Sequence, residues 1–181
     1  MKLSAIWTYK TIHGTISFMA TEELVKKLID RVILDEGDWS GKGPDKGGLT
    51  RWGISQRAYP NINLHTLTKE KAAEIYRRDY WDSPGFNRVY DALEGKESRD
   101  LLCGLLLTAA VTSGPSKAIT FLQRSSRANG IHVVDDGRLG PKTLAALSSV
   151  GEGILPSFRS EYAGYFRSIV SGNPSQAVFL S

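Results

Sequence analysis

The sequence has 181 residues, 41% of them apolar and 23% charged, which places it among ordinary folded chains and away from disordered ones. A chain of this length buries roughly 70% of the surface its unfolded form exposes, enough for one compact domain or two small ones without metals or disulfides, and its single cysteine excludes a disulfide framework. The formal charge of +4 is spread along both halves, so it fits an anionic partner such as a cell wall, a membrane surface or nucleic acid but does not choose among them.

Residues 1–20 have no clear period. Lys2 and the short apolar patch Leu3, Ala5, Ile6, Trp7 give way to polar residues without a sustained apolar region of secretory type, so no cleaved export signal is expected. Met19-Ala20-Thr21-Glu22-Glu23 reads like a second beginning. Thr21 is placed to N-cap a helix carrying Glu22 and Glu23 in its first turn, with Leu24, Val25, Leu28, Ile29, Val32 and Ile33 on one buried face and an end near Glu36-Gly37. Gly37 to Gly53 is glycine-rich and polar, which predicts a shaped loop or a small hairpin over residues 38–52.

A short helix over Gly53–Tyr59, ended by Pro60, comes next. Thr68 caps a stronger helix over Lys69–Tyr80, closed by Ser83-Pro84-Gly85. Asp100–Thr112 is apolar on nearly all sides, as a central core helix is; it is too short to span a membrane, and Cys103 within it is expected to be a buried free thiol. After Ser113-Gly114-Pro115, a helix marked by Ala118, Ile119, Leu122 and Ser125 runs to Asn129-Gly130. An extended piece is expected at Ile131–Val134, a helix opened by Pro141, and a last helix over about Ile154–Val170. The fold class is mainly α, with a small β-hairpin.

The chemistry concentrates at Glu36-Gly37-Asp38-Trp39 and Asp45-Lys46-Gly47-Gly48-Leu49-Thr50-Arg51-Trp52-Gly53-Ile54. A carboxylate on the last helical turn, facing a glycine-rich loop that carries a second carboxylate, is the pairing glycoside hydrolysis requires. One carboxyl must stay protonated, which burial achieves by raising its pKa, and Glu36 suits that role. The other must stay ionised, and Asp45 in its polar loop suits that one. Spacing alone also allows a solvated glutamate and an ordinary Asp-x-Gly-Gly turn.

The blocks Asp35-Glu36-Gly37, Asp45 to Ser55, Leu67 to Ala72 and Ile75 to Asp82 together resemble glycoside hydrolase family 108, the bacterial and phage N-acetylmuramidases. Ser113-Gly114-Pro115, Leu122-Gln123-Arg124 and Asp136 to Leu147 are similar to that family's C-terminal peptidoglycan-binding-like region. The resemblance covers roughly residues 21–178. It implies a lysozyme-like helical fold and cleavage of the β-1,4 bond between N-acetylmuramic acid and N-acetylglucosamine in peptidoglycan, with Glu36 as the catalytic glutamate. The order Glu36, Asp45, Thr50 is also similar to that of phage lysozymes, although one residue fewer separates the last two, which assigns Asp45 and Thr50 to holding a water.

The division implied is an extension over 1–20, a catalytic region over 21–115 and a helical wall-binding-like region over 116–181, packed as one compact unit. Asp38 stands where the family has a second glycine and adds a charge near Glu36. Thr108 and Thr112 stand where relatives show an aspartate and an asparagine.

Trp52, Arg51, Gly48 and Tyr80 are the candidate substrate-binding residues: the rings for sugar faces, Arg51 with Lys46 for the wall's acidic groups. Trp39, Trp81 and Tyr59 are further candidates for stacking, with the core as their default. His13, His65 and His132 have no ligand spacing, so no metal is expected, nor any other cofactor. Cys103 has no histidine near it in sequence, and the glycine-rich loop lacks the Lys-Ser/Thr of a phosphate loop.

The expected partner is the peptidoglycan glycan strand rather than nucleic acid or an inserted membrane. The chain is expected to be a monomer, made in the cytoplasm and reaching the wall through a holin or an export system. The alternative is a catalytically silent peptidoglycan-binding or secretion-accessory protein that keeps the fold.

Overall fold

The structure, a computed structural model, describes residues 21–40 and 49–172. The extension over 1–20 and the loop residues Asp45, Lys46 and Gly48 lie outside the described residues. The chain forms two compact units, which meet in sequence between Asp79 and Tyr80.

Among the described residues, the first unit opens with helix α1, which includes residues 21–36. Val25, Ile29 and Ile33 are buried at four-residue spacing, while Leu24, Leu28 and Val32 are half-buried beside them. The outer face carries the ion pairs Lys27–Glu23, Lys26–Asp30 and Arg31–Asp35 at 2.8, 3.2 and 3.0 Å, all well exposed and so of small energetic weight. Thr21 is helical and buried. The helix stops at Gly37, whose φ of 75° few other residues adopt readily and whose N–H donates back to Ile33 O at 3.2 Å.

Three short antiparallel strands follow: β1 (Trp39–Ser40), β2 (Thr50–Arg51) and β3 (Ile54–Ser55), in the order β1-β2-β3. Trp39 pairs with Arg51, and Arg51 in turn with Ile54. Trp52 and Gly53 alone join β2 to β3, with φ of 53° and 75°; positive values at both central residues are what a type I′ hairpin turn requires. This turn displaces the helix expected over Gly53–Tyr59. Ile54 pairs across the hairpin and is buried, and the Gln56 amide then folds the next loop by donating to the carbonyls of Tyr59, Pro60 and Ile62.

Beyond a 3-10 turn at Leu64–Thr66, helix α2 spans Lys69–Tyr76 and is capped as expected, the Thr68 hydroxyl accepting from Lys71 N at 3.3 Å. It does not continue as an α-helix to Tyr80. At Arg77 the backbone N–H is shared between the carbonyls of Ala73 and Glu74, and Arg77–Asp82 winds as a π-helix.

The second unit holds helices α3 (Asn87–Ala92), α4 (Arg99–Ser113), α5 (Pro115–Ala128), α6 (Pro141–Val150) and α7 (Ile154–Gly172). Helix α3 is absent from the sequence reading, although buried Phe86, Val89, Tyr90 and Leu93 carry its period. Helix α4 buries Leu102, Cys103, Leu106, Leu107, Ala109 and Ala110, but Leu101 is 49% exposed, so one side of this core helix faces solvent. Its N-terminus is served from a distance: the Glu152 carboxylate accepts from Glu97 N at 2.8 Å and Ser98 N at 3.1 Å.

Helices α4, α5 and α7 pack on one another, and α6 lies on α3 and α5. Phe121 knits α5 to α7 through the rings of Phe158 and Tyr162, 6.2 and 5.8 Å away. Ile131–Val134 pairs with no strand. Among the described residues, no helix is long and apolar enough to cross a membrane. The mainly helical architecture with a small antiparallel sheet is the one expected.

Candidate active site

Glu36 sits on the last turn of α1, with the β2–β3 hairpin turn against its stem. A Cβ built on Gly53 would lie 2.8 Å from Glu36 Cγ and 3.2 Å from Glu36 Cβ, and would collide with the Tyr76 hydroxyl. Only a residue without a side chain fits at 53, and its φ of 75° excludes most others a second time. Glu36 remains open to solvent, yet the packing around it withdraws its carboxyl from water enough to push the pKa above the usual carboxylate range, the Asp35 charge adding to the effect. A carboxyl both reachable and biased towards its protonated form can act as a general acid.

Asp38 does not supply the charge that the sequence placed beside Glu36. Arg51 Nε donates to Asp38 Oδ1 at 3.1 Å, and the neighbour whose charge raises the Glu36 pKa is Asp35. The same guanidinium donates from Nη1 to the carbonyls of Leu64 (3.1 Å) and His65 (2.8 Å), and lies 4.9 Å over the Trp39 ring. Arg51 therefore ties the hairpin to the 3-10 turn, a structural duty at a position expected to bind substrate.

Trp52 is half-buried on the hairpin turn, and its backbone N–H donates to Asp38 O at 2.9 Å. Among the described residues it is the one non-glycine with positive φ, a costly conformation for a bulky residue. Its indole Nε1 is buried without a hydrogen-bond partner. Thr50 pairs with Ser40 on one side and Ser55 on the other, two residues before that turn. Glu36, Thr50, Arg51 and Trp52 thus share the hairpin end of the first unit.

Tyr80 begins the second unit, half-exposed on the π-helix. Trp81 beside it is completely buried, a core residue rather than a platform for sugar. The Trp39 ring lies 5.3 Å from that of His65, and the Tyr59 hydroxyl donates to Asp79 at 2.8 Å.

One feature at the site and one at the far end of α1 escaped sequence reasoning. Tyr76, buried at the end of α2, reads only as a core position in the helical pattern; its approach to Glu36 joins residues forty apart. Arg77 makes a bidentate pair with Glu22, both contacts at 2.7 Å, and holds the Glu22 carboxyl below the usual range.

In the second unit, Asp136-Gly137-Arg138 closes around Gln123. The buried Gln123 amide donates to Asp136 Oδ1 and Arg138 O at 2.8 and 3.0 Å and accepts from Gly137 N at 2.9 Å, so these residues hold a turn together. Thr108 and Thr112 donate to carbonyls of their own helix, and the Thr112 hydroxyl also meets Tyr162 Oη at 2.8 Å. No cluster of histidine, cysteine, aspartate or glutamate able to hold a metal occurs among the described residues.

Residues 29–96 match the model of the family described as Glycosyl hydrolase 108, a stretch that contains Glu36, the hairpin, α2 and the π-helix. Among solved structures, the chain is similar to SagA of Brucella abortus, with 25% identity over 87% of this chain and 90% of that one and a TM-score of 0.62. No curated protein matches.

Proposed function

We propose that this protein is an N-acetylmuramidase, which hydrolyses the β-1,4 bond between N-acetylmuramic acid and N-acetylglucosamine of peptidoglycan with Glu36 as general acid. The observation that carries the reading is a solvent-accessible carboxyl with a raised pKa on the last turn of α1, inside the segment that matches a glycoside hydrolase family.

In the reaction, the Glu36 proton passes to the bridging oxygen as the bond from the sugar carbon to that oxygen breaks. A water oxygen then bonds to the carbon, and its proton returns to a carboxylate. Asp45 and Thr50 hold that water in this account. Asp45→Asn is expected to lose most turnover while still binding the wall, and unchanged turnover removes it from the site. Trp52, Gly48, Tyr80 and Arg51 contact the glycan.

The region after residue 115 is assigned to holding the wall, and the chain is placed as a monomer working on the wall after cytoplasmic synthesis. Digestion of purified sacculi, with soluble fragments read by mass spectrometry, tests the reading. Fragments ending in reducing N-acetylmuramic acid support it. Co-sedimentation with sacculi and no fragments points instead to a wall-binding protein that keeps the fold.

A further inference from the structure

Glu36, Gly53 and Tyr76 come from α1, the hairpin turn and α2, yet they converge on one point. The space a Cβ of Gly53 would fill is already taken by the Tyr76 hydroxyl and bounded by Cγ and Cβ of Glu36. Each side of this contact is fixed. Tyr76 is 2% exposed, so its ring has no room to swing. The hairpin turn is held by the Arg51–Ile54 pairing and by the bond from Trp52 N to Asp38 O.

Helix α2 is braced along α1 as well. Two consecutive residues at the α-to-π transition reach opposite ends of that helix: Tyr76 the end bearing Glu36, Arg77 the end bearing Glu22. A glutamate on an open helix end samples several rotamers, and fixing it carries an entropic cost. Here the wall beside the Glu36 stem carries a polar hydroxyl, and a less polar wall would favour the protonated carboxyl further.

We infer that Tyr76 is a positioning residue for Glu36, its hydroxyl and the bare Cα of Gly53 forming the seat that orients the carboxyl. The inference rests on the reading of Glu36 as general acid. Tyr76→Phe keeps the buried ring and removes only the hydroxyl. Its wall is less polar and less confining, which gives two signatures a purely structural tyrosine would not.

On soluble peptidoglycan fragments, kcat is expected to fall about tenfold with KM unchanged, as a displaced reacting group does. The basic limb of the kcat/KM profile is expected to move about half a unit to higher pH, because the protonated form is favoured further. A kcat and a pH profile that superimpose on those of the wild type overturn the inference.

If Tyr76→Phe does not fold, Gly53→Ala drives a methyl group into the same point. It is expected to lose kcat with wall binding retained, and full turnover in it overturns the inference equally. Glu36→Gln in the same assay separates the two claims. Activity in Glu36→Gln removes the general-acid reading and the inference with it, whereas an inactive Glu36→Gln beside a wild-type-like Tyr76→Phe removes the inference alone.

Discussion

Arg51 Nε holds Asp38 Oδ1 at 3.1 Å and so anchors the carboxylate that follows Glu36 most closely in the glycine-rich loop. The pair is partly exposed, but its arginine also carries two backbone carbonyls and a tryptophan ring, which makes it a clamp rather than an isolated surface ion pair.

Arg51→Ala should therefore behave as a stability mutation. Losing the donors to Leu64 O and His65 O and the contact with Trp39 is expected to cost about 2 kcal/mol, read as a lower midpoint in urea. A midpoint unchanged from the wild type would return Arg51 to the surface, free to serve substrate alone.

The raised pKa of Glu36 makes activity and stability depend on pH in the same sense, both declining as pH rises. As general acid it works protonated, so kcat/KM should fall as pH rises through its folded value. For stability, a carboxyl whose folded pKa lies above its unfolded one binds more protons when folded. It therefore favours the folded state at acid pH and loses that contribution as pH rises through the folded value. Glu36→Gln removes the ionised form, and its thermal midpoint at neutral pH should exceed that of the wild type. A lower midpoint would mean that the ionised carboxylate is stabilised where it sits.

Asp135 shows the reverse case. Hydrogen bonds from Arg127 and then Arg124, at 3.0 Å each, hold its pKa down to about 2. A depressed folded pKa contributes stability above the unfolded value and loses it as pH falls towards about 2. Asp135→Asn should thus lower the thermal midpoint at pH 7 and leave it nearly unchanged near pH 2, in a melt that follows the helical second unit. An equal loss at both values would point to packing rather than charge.

How much of this was legible beforehand differs by element. Helix α1, the cap at Thr68 and the proline opening α6 follow from periodicity and capping chemistry, which are local. The short helix at Gly53–Tyr59 failed because the positive φ at Trp52 and Gly53 belongs to the hairpin, and a tryptophan gives no warning of it. The α-to-π change at Arg77 leaves no trace in apolar spacing. At the site, the place of Glu36 on a last helical turn before Gly37 was readable, while its proposed role came from the family resemblance and not from that spacing. The Arg51 clamp and the approach of Tyr76 were not readable, since both depend on segments far apart in sequence.

Cys103 offers a test of the second unit's core. Burial pushes its thiol up to about 12, so almost no thiolate is present at pH 8 and no reagent reaches it in the folded chain. Labelling by a thiol reagent should follow the rate of unfolding and accelerate with denaturant. Rapid labelling of the native protein would show the helix α4 environment to be open.

The central claim, that the Glu36 carboxyl delivers the proton, is tested most directly by comparing wild type with Glu36→Gln on purified sacculi. Release of fragments with reducing N-acetylmuramic acid ends by the wild type, and none by a folded Glu36→Gln that still sediments with the wall, is the expected result. Equal release by both proteins would contradict it.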